Sequence, residues 1–317
     1  MESRKLIKFG NSSHVISLPT TWLKKNNLNK GNSIYIKENS NNELILSPDS
    51  NQDTKKDKKI TISITNKTTD AIRREIISAY VNHSNTIEII GNNLKEKIKD
   101  IREIINNLVA LEIMEQSSEK IIAKDFLNIK DLSINKIIRE ADIITRTILS
   151  DTRLSFKKDQ TYDIDQKDID VNRLYFLAYR AIKEALDNPK VSQSLNMTTN
   201  QILDNWMLIL EIEEIADTSK RVSKFFNSIT LTKEEVKKLE EIHESIESYY
   251  LEAMKAYYTQ NKTLAINIAK NKNEIFSMIK TSFGDHKYKP VGIILEKLLE
   301  LTSIVHRVIR LIINSEY

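Results

Sequence analysis

Two pairs of acidic residues have the spacing best suited to metal binding in this chain. Glu213 and Asp217 form the first pair, and Glu296 and Glu300 form the second. Residues i and i+4 lie on one face of an α-helix, so the two carboxylates of each pair would project together. Acidic groups beside an apolar helix face are costly unless they are paired or bind a cation. With carboxylates of neighbouring helices, these pairs could hold iron, manganese or magnesium.

The same spacing is compatible with ordinary ion pairs or with solvated acidic residues. Basic residues lie close to both pairs in the sequence, namely Lys220, Arg221, Lys297 and Arg307. If these side chains neutralise the carboxylates, the pairs need no metal. The sequence leaves both interpretations open.

A second set of functional candidates lies in residues 1–48, which contain seven Lys and Arg residues but only three Glu residues. The resulting net charge of +4 equals that of the whole chain. Lys and Arg contacts to phosphates give salt-dependent binding with little sequence information, whereas short polar side chains can read base edges. The candidate DNA contacts are Arg4, Lys5, Lys8, Asn11, Ser13, His14, Lys24 and Lys25. The alternative is a small dimerisation domain with a solvated basic face.

The elements that would position these cations follow from the local pattern. Arg4, Lys5 and Lys8 fall on a first strand, which a Gly-Asn-Ser turn joins to a second strand that ends at Pro19. A short basic helix follows, with Thr20 or Thr21 as its predicted N-cap. Two further strands are predicted at 33–37 and 43–46, with a turn at 39–42 between them.

One copy of this segment is too small to close a core. Its strands are short, and a domain below about 60 residues is marginal by itself. Pairing two copies would complete the sheet and bring two sets of cations onto one face. We therefore expect a homodimer or a higher even oligomer.

The order of basic strand, Gly-polar turn, strand ending in Pro, basic helix, Lys-Gly-Asn and hairpin closely resembles an AbrB/SpoVT-type DNA-binding domain. The resemblance covers residues 1–48. It implies a small β-rich, swapped-hairpin domain that dimerises and binds double-stranded DNA.

The following segments predict a multidomain chain. Residues 49–58 are polar and charged without periodicity, so they read as a linker. Residues 59–128 alternate strand and helix in the order βαβαββ, which makes a small α/β domain. The segment 111–117 resembles a hairpin found in archaeal PhoU-related regulators that carry an AbrB-type domain. Because the segment has no nucleophile, Gly-rich phosphate loop or carboxylate pair, we interpret it as a spacer or dimerisation domain, with ligand binding as the alternative.

Residues 130–317 are predicted to be helical throughout. Ser133, Thr199 and Thr232 stand at predicted N-caps. The segment 212–218 is similar to 295–301, and both fall on the third helix of a three-helix set, which indicates two tandem repeats. Apolar residues recur at helical spacing in six blocks, approximately 134–153, 168–187, 199–226, 233–258, 262–281 and 290–314.

The Glu-x-x-Ala-Asp arrangement and the block 170–177 resemble PhoU, a regulator of phosphate uptake. That resemblance implies a six-helix bundle whose carboxylates bind metal clusters, with Asp168 joining Glu213 and Asp217. The chain departs from the family pattern at three places. Asn172 stands where the family has Asp, Glu300 stands where Asp is usual, and the fifth helix lacks the motif.

Composition excludes several other kinds of site. The chain has no cysteine, so it has no disulfide, thiolate metal site or cysteine redox chemistry. Its five histidines show neither HxH nor HExxH spacing, which argues against a zinc site or a His-based catalytic pair. No apolar run approaches the length of a membrane span, and no signal peptide is evident, so we expect a cytoplasmic protein without membrane insertion.

The two resemblances imply a DNA-binding transcriptional regulator of phosphate uptake and phosphate homeostasis. The alternative is an adaptor that modulates a phosphate ABC transporter by protein–protein contact, with the N-terminal domain used only to dimerise. A metal hydrolase is a third class, but no nucleophile or substrate-binding set accompanies the carboxylates. We therefore do not expect an enzyme.

Overall fold

The chain forms two compact units, residues 1–56 and residues 57–317, called here the head and the larger unit. The computed structural model describes residues 3–38, 43–48, 58–156, 163–283 and 290–315. The predicted turn at 39–42 and nearly all of the predicted linker at 49–58 lie outside these described residues.

The head contains four short strands and one short helix, in the predicted order. Strands β1 and β2 form one antiparallel hairpin, and β3 and β4 form another. Helix α1 begins at Thr20, with Pro19 at the N-cap position and no side-chain cap. The predicted cap by Thr20 or Thr21 is therefore wrong, because Thr20 is already the first helical residue and the carbonyl of Pro19 accepts the N–H of Leu23 at 3.1 Å. The elements are β1 (Ile7–Phe9), β2 (Ser13–Val15), α1 (Thr20–Lys25), β3 (Tyr35–Glu38) and β4 (Leu44–Ser47).

The described part of the head has no buried side chain. Its apolar residues are among the most exposed of the chain, with Leu6 at 68%, Phe9 at 67%, Ile36 at 64% and Leu44 at 66%. A segment of this size buries too little surface in one copy to form its own core. The head is thus a small β-rich domain whose described apolar side chains are largely exposed.

The larger unit begins with a four-stranded sheet in the order β5-β6-β8-β7. Strands β5 and β6 are parallel, and the other two pairings are antiparallel. Helices α2 and α3 cover one face, where Ile62, Ile87, Ile89 and Ile121 are buried. These elements reproduce the predicted βαβαββ order: β5 (Lys59–Ser63), α2 (Thr69–Val81), β6 (Thr86–Ile90), α3 (Leu94–Asn106), β7 (Leu111–Gln116) and β8 (Lys120–Asp125).

The remainder of the larger unit is helical, as predicted. A single 3-10 turn at Ile129–Asp131 precedes it. Five of the six predicted blocks are single long helices, whereas the fifth consists of α9 and α10 with Lys270 between them. The short helix α6 was not predicted. The bounds are α4 (Ile134–Ser155), α5 (Ile164–Asp187), α6 (Pro189–Ser194), α7 (Thr199–Asn227), α8 (Lys233–Tyr258), α9 (Lys262–Ala269), α10 (Asn271–Ser282) and α11 (Gly292–Asn314).

The long helices pack in two neighbouring groups. Helices α4, α5 and α7 contact one another, α11 contacts α8, α9 and α10, and α7 packs against α11. Side-chain caps define several helix starts: Ser133 caps α4, and Thr232 forms a capping box with Glu235 at α8. At α7 the cap is Thr198, one residue before the predicted Thr199. Among the described residues, no helix is both long enough and apolar enough to span a membrane.

A buried ion pair joins the sheet part to the helical part. Arg180 of α5 donates to Asp125 at the end of β8, and both side chains are almost fully buried. The Arg180 guanidinium also lies 4.5 Å from the centre of the Tyr80 ring, and the Tyr80 hydroxyl donates to the carbonyl of Val109 at 3.0 Å. These contacts place the predicted segments 59–128 and 130–317 in one compact unit.

Candidate functional sites

The acidic residues Glu213 and Asp217 of α7 and Asp168 of α5, called here the acidic cluster, lie where the two helices pack together. Lys220 lies between two of them: its Nζ is 2.6 Å from Asp168 Oδ2 and 2.8 Å from Asp217 Oδ1. Arg221 Nη2 is 2.5 Å from the other oxygen of Asp217. The carboxylates of Asp168 and Asp217 therefore both contact the ammonium group of Lys220.

Burial dominates the electrostatics of the acidic cluster. Asp168 is 5% exposed, and its burial raises the pKa of the carboxyl, an effect that Lys220 opposes. Burial also raises the pKa of Glu213 to about 7, and repulsion from Asp217 and Asp168 adds to this shift. One carboxyl of the cluster thus takes up a proton near neutral pH.

The acidic cluster does not fit a metal ion in this arrangement. In the described residues, no group of three or more His, Cys, Asp or Glu side chains is placed to hold one metal. The Lys220 ammonium stands between the two aspartates at the distance of a charge-assisted hydrogen bond. Asn172, which replaces an aspartate of the expected pattern, directs its amide donor toward Asp168.

The second acidic pair lies on the solvent side of α11. Glu296 and Glu300 are both exposed, and Glu300 is 2.5 Å from Lys297 Nζ. Arg307, which was another candidate partner, instead contacts Glu211 of α7 at 2.7 and 2.8 Å. The expected apolar surroundings of this pair are therefore absent, since neighbouring Ile293 is itself 51% exposed.

A buried carboxylate that the sequence analysis did not single out is Asp142 of α4. It is 1% exposed and accepts hydrogen bonds from the hydroxyls of Tyr250 at 2.8 Å and Tyr258 at 2.9 Å. Arg146 lies 2.8 Å away, one helical turn along α4. Two sequence features could have pointed to Asp142: the Asp-x-x-x-Arg spacing and the repeated tyrosine pairs. Only the packing of α4 on α8 brings these residues together. Both carboxylate oxygens have partners, so the group ties the two helices together.

A cavity of about 370 Å³ opens beside Tyr258. Amide side chains, including Asn135, Asn196 and Asn205, line it together with Asp204, and no Lys or Arg is among its described lining residues. Phosphate sites rely on cations or backbone N–H groups. The lining therefore suits a neutral polar molecule better than a phosphate ion.

The candidate DNA contacts of the head divide between two faces of its first hairpin. Lys8 pairs with His14 across the strands, whereas Ile7 pairs with Val15 and Phe9 with Ser13. Because alternate residues of a strand point to opposite faces, Lys8 and His14 share a polar face, and Ile7, Phe9 and Val15 share an apolar one. Ser13 lies on the apolar face, opposite to the side that carries Lys8 and His14.

The remaining candidates flank this hairpin. Asn11 lies in the turn after Gly10, which has a φ of +69°. Arg4 and Lys5 precede β1 and are not on it as predicted, because pairing begins only at Ile7. Lys24 and Lys25 form the last turn of α1. Every one of these side chains is exposed.

The family model described as Antidote-toxin recognition MazE, bacterial antitoxin, matches residues 7–53. The head therefore resembles AbrB/MazE-type domains. The match spans both hairpins and α1, which supports the predicted resemblance of the head to AbrB-type domains. Neither the curated proteins nor the solved structures give a significant match to the chain.

The AbrB/MazE-type match includes most of the candidate DNA contacts. Only Arg4 and Lys5 lie before its first residue. The candidates within the matched range are Lys8, Asn11, Ser13, His14, Lys24 and Lys25. The acidic cluster lies outside it, so the two candidate sites rest on separate observations.

Proposed function

We propose that this protein is a DNA-binding transcriptional regulator that acts as a dimer through its head. The observation that carries the proposal is the two-faced hairpin of an AbrB/MazE-type head. It has Lys8 and His14 on one face and three large apolar side chains on the other. This arrangement allows the apolar face to pack against a second copy, while the polar face binds a charged ligand. A regulator of this kind acts in the cytoplasm, and no catalysis is assigned to it.

The dimer follows from the uncovered apolar surface of the head. Phe9, Ile36 and Leu44 each expose more than 60% of their surface. Ile36 and Leu44 lie on one face of the second hairpin, and exposed apolar surface of this kind marks interaction sites in soluble proteins. A second copy supplies the missing core and doubles the number of cations available to a duplex.

DNA is the ligand that best fits the polar side of the head. Lys8, Lys24 and Lys25 are exposed cations that can reach phosphates. Asn11 and His14 carry donors and acceptors suited to base edges in the major groove. The proposal assigns nonspecific affinity to the lysines and site discrimination to these two polar residues.

A salt titration tests the proposal directly. In the variant Lys24→Ala/Lys25→Ala, affinity for promoter DNA of the protein's own operon should fall for all sequences. The slope of log K against log salt should decrease by about one for each lost phosphate contact. The matched control is Lys237→Ala/Lys238→Ala, which removes two neighbouring lysines of α8, the first exposed and the second half-buried. If the head variant keeps the affinity and slope of the wild type, the head does not bind DNA.

We further propose that the genes under control serve phosphate uptake and homeostasis. The support is the resemblance of residues 130–317 to PhoU, together with two neighbouring groups of long helices in which α7 packs against α11. Sequencing of DNA fragments that copurify with the protein should recover promoters of phosphate transport genes. Binding to a phosphate ABC transporter without DNA recovery would instead favour the adaptor alternative.

An antitoxin-like role is the second candidate, because the matching family model is that of an antitoxin. In that case a neighbouring gene would encode a toxin that this chain neutralises. Expression of that gene alone should arrest growth, and coexpression with this chain should restore it. Normal growth with the neighbouring gene alone would exclude this role.

A further inference from the structure

The cavity beside Tyr258, called here the amide cavity, lies where the ends of four helices meet. Its described lining comes from the first turn of α4, the segment after α6, the first turns of α7 and the end of α8. Its volume of about 370 Å³ falls within the range of small-molecule sites. Because helix ends form its walls, the cavity has its shape before any ligand enters.

Two residues of the lining have a backbone conformation that favours glycine. Asn196, after α6, has a φ of +54°, and Gln260, after α8, has a φ of +50°. At the second of these places the N–H of Asn261 donates to the carbonyl of Ala256 at 2.9 Å, a bond that closes the helix. Glycine is the usual residue at such helix ends. The chain thus presents two amide side chains to the cavity from positions where a glycine would be less strained.

Asn205 is a buried polar group of the same cavity, with 7% of its surface exposed. Its Oδ1 accepts from the hydroxyl of Tyr257 at 3.2 Å, and its Nδ2 lies 3.5 Å from the sulfur of Met197. A thioether is a weak acceptor, and an amide nitrogen carries two N–H groups. Among the described residues, Asn205 therefore keeps donor capacity that a ligand with a good acceptor would use. The neighbouring Tyr258 is held in place by Asp142, which accepts from its hydroxyl at 2.9 Å.

We propose that the amide cavity binds an uncharged purine nucleoside of the adenosine type. An amide side chain presents a donor and an acceptor side by side, and the edges of adenine present the complementary pair. Two tyrosines supply the aromatic part of the lining that planar ligands favour. Five amide side chains line the cavity, namely Asn135, Asn196, Gln201, Asn205 and Gln260.

The charge of the lining selects against nucleotides. Asp204 is the one charged side chain among the described lining residues, and it is negative. A phosphate placed beside this carboxylate would be repelled without a cation to compensate. The cavity should therefore prefer adenosine to adenosine monophosphate, although both carry the same base and ribose.

Titration calorimetry of the full-length wild type, without DNA, tests the ligand class. Adenosine should bind at one molecule per chain, and adenosine monophosphate should bind at least about 10-fold more weakly. In Asp204→Asn this difference should narrow. The assay contains no DNA, so its outcome does not depend on the proposed role of the head.

A matched pair of variants tests the location of the site. Asn196→Gly removes an exposed amide of the cavity at a φ of +54°, and Asn66→Gly removes an exposed asparagine at a φ of +59° outside the described lining. Glycine accepts this conformation, so both variants should melt within about 2 °C of wild type. Asn196→Gly should lose about 10-fold in affinity for adenosine, because one hydrogen-bonding group is removed. Asn66→Gly should bind adenosine as wild type does.

Three results would overturn the proposal. The first is the absence of adenosine binding to wild type at about 1 mM, including the case in which glucose binds instead; this measurement does not depend on any variant. The second is binding of adenosine monophosphate as tight as that of adenosine. The third is an adenosine affinity that is unchanged in Asn196→Gly, or that falls equally in Asn196→Gly and Asn66→Gly.

Discussion

Phe9 and Leu44 of the head are 67% and 66% exposed, whereas Ile72 and Ile76 of the larger unit are fully buried. Both units contain β-strands with alternating apolar residues, followed or separated by helices. In the larger unit, α2 and α3 cover the sheet, so its apolar face is buried within one chain. In the head, the helix has six residues and the two hairpins form separate sheets. The larger unit thus buries its apolar side chains within one chain, whereas in our proposal the head buries them by pairing with a second copy.

The strongest test of this comparison is to place a charge on the apolar face of the head. Phe9→Asp should dissociate the dimer, because a carboxylate would be buried without a partner in the paired state. DNA affinity should then fall by about 100-fold or more, since two linked heads bind far more tightly than one. Light scattering and a DNA titration measure the two effects. The control is Ile266→Asp on α9, where the isoleucine is 58% exposed, and it should change neither.

The second test asks whether the larger unit behaves as one cooperative body. Arg180→Ala leaves Asp125 buried without its ion-pair partner, which should lower the free energy of unfolding by about 3–5 kcal/mol. Urea unfolding followed by tryptophan fluorescence and by circular dichroism should still show coincident transitions. A variant that unfolds in two separated steps would show instead that the sheet part and the helical part are independent domains.

The third test uses the pH dependence of the core of the larger unit. Burial lowers the pKa of His243 to about 3 from its ordinary 6.5. The unfolded chain therefore binds a proton below about pH 6.5 that the folded chain does not, and stability decreases as the pH falls from there toward 3. Between pH 7 and pH 5 the loss should be about 2 kcal/mol. His243→Phe should remove most of this loss in thermal melts across that range, and an unchanged pH profile would contradict the assignment.

The fourth test concerns Glu213, whose pKa is raised from 4.5 to about 7. The folded state binds a proton more tightly than the unfolded state does, so this residue costs stability as the pH rises from 4.5 through 7. Glu213→Gln should therefore be more stable than wild type at pH 8, with the difference shrinking toward pH 5. Glu296→Gln, at an exposed position, is the control and should show no such trend.

The local elements of both units could be predicted from the sequence because they depend on short-range pattern. Strand alternation and helical apolar spacing located the βαβαββ segment and the long helices to within a few residues. Helix starts were less certain, since Thr198 and Thr199 are chemically equal candidates and only the capping box with Gln201 selects Thr198. The break at Lys270 was missed because both flanking segments continue the same apolar period.

The contacts of the acidic residues could not be predicted because they depend on how helices pack. Lys220 lies three residues from Asp217, which the sequence shows, but its contact with Asp168 spans 52 residues. The bonds to Asp142 from Tyr250 and Tyr258 span 108 and 116 residues. From the sequence, Lys220 was one of several possible partners of the acidic residues. Only the packing of α5 against α7 shows that it contacts Asp168.

The buried pair of Arg180 and Asp125 sets where this chain can exchange parts with other proteins. A recombination point between the sheet part and α4 would separate the two charges into different parents, and a new partner would bury one of them unpaired. The division between the two compact units lies between residues 56 and 57, so both members of this pair belong to the second unit. The sheet and the helical region must therefore be inherited together, whereas a crossover at the division between the units keeps the pair in one parent.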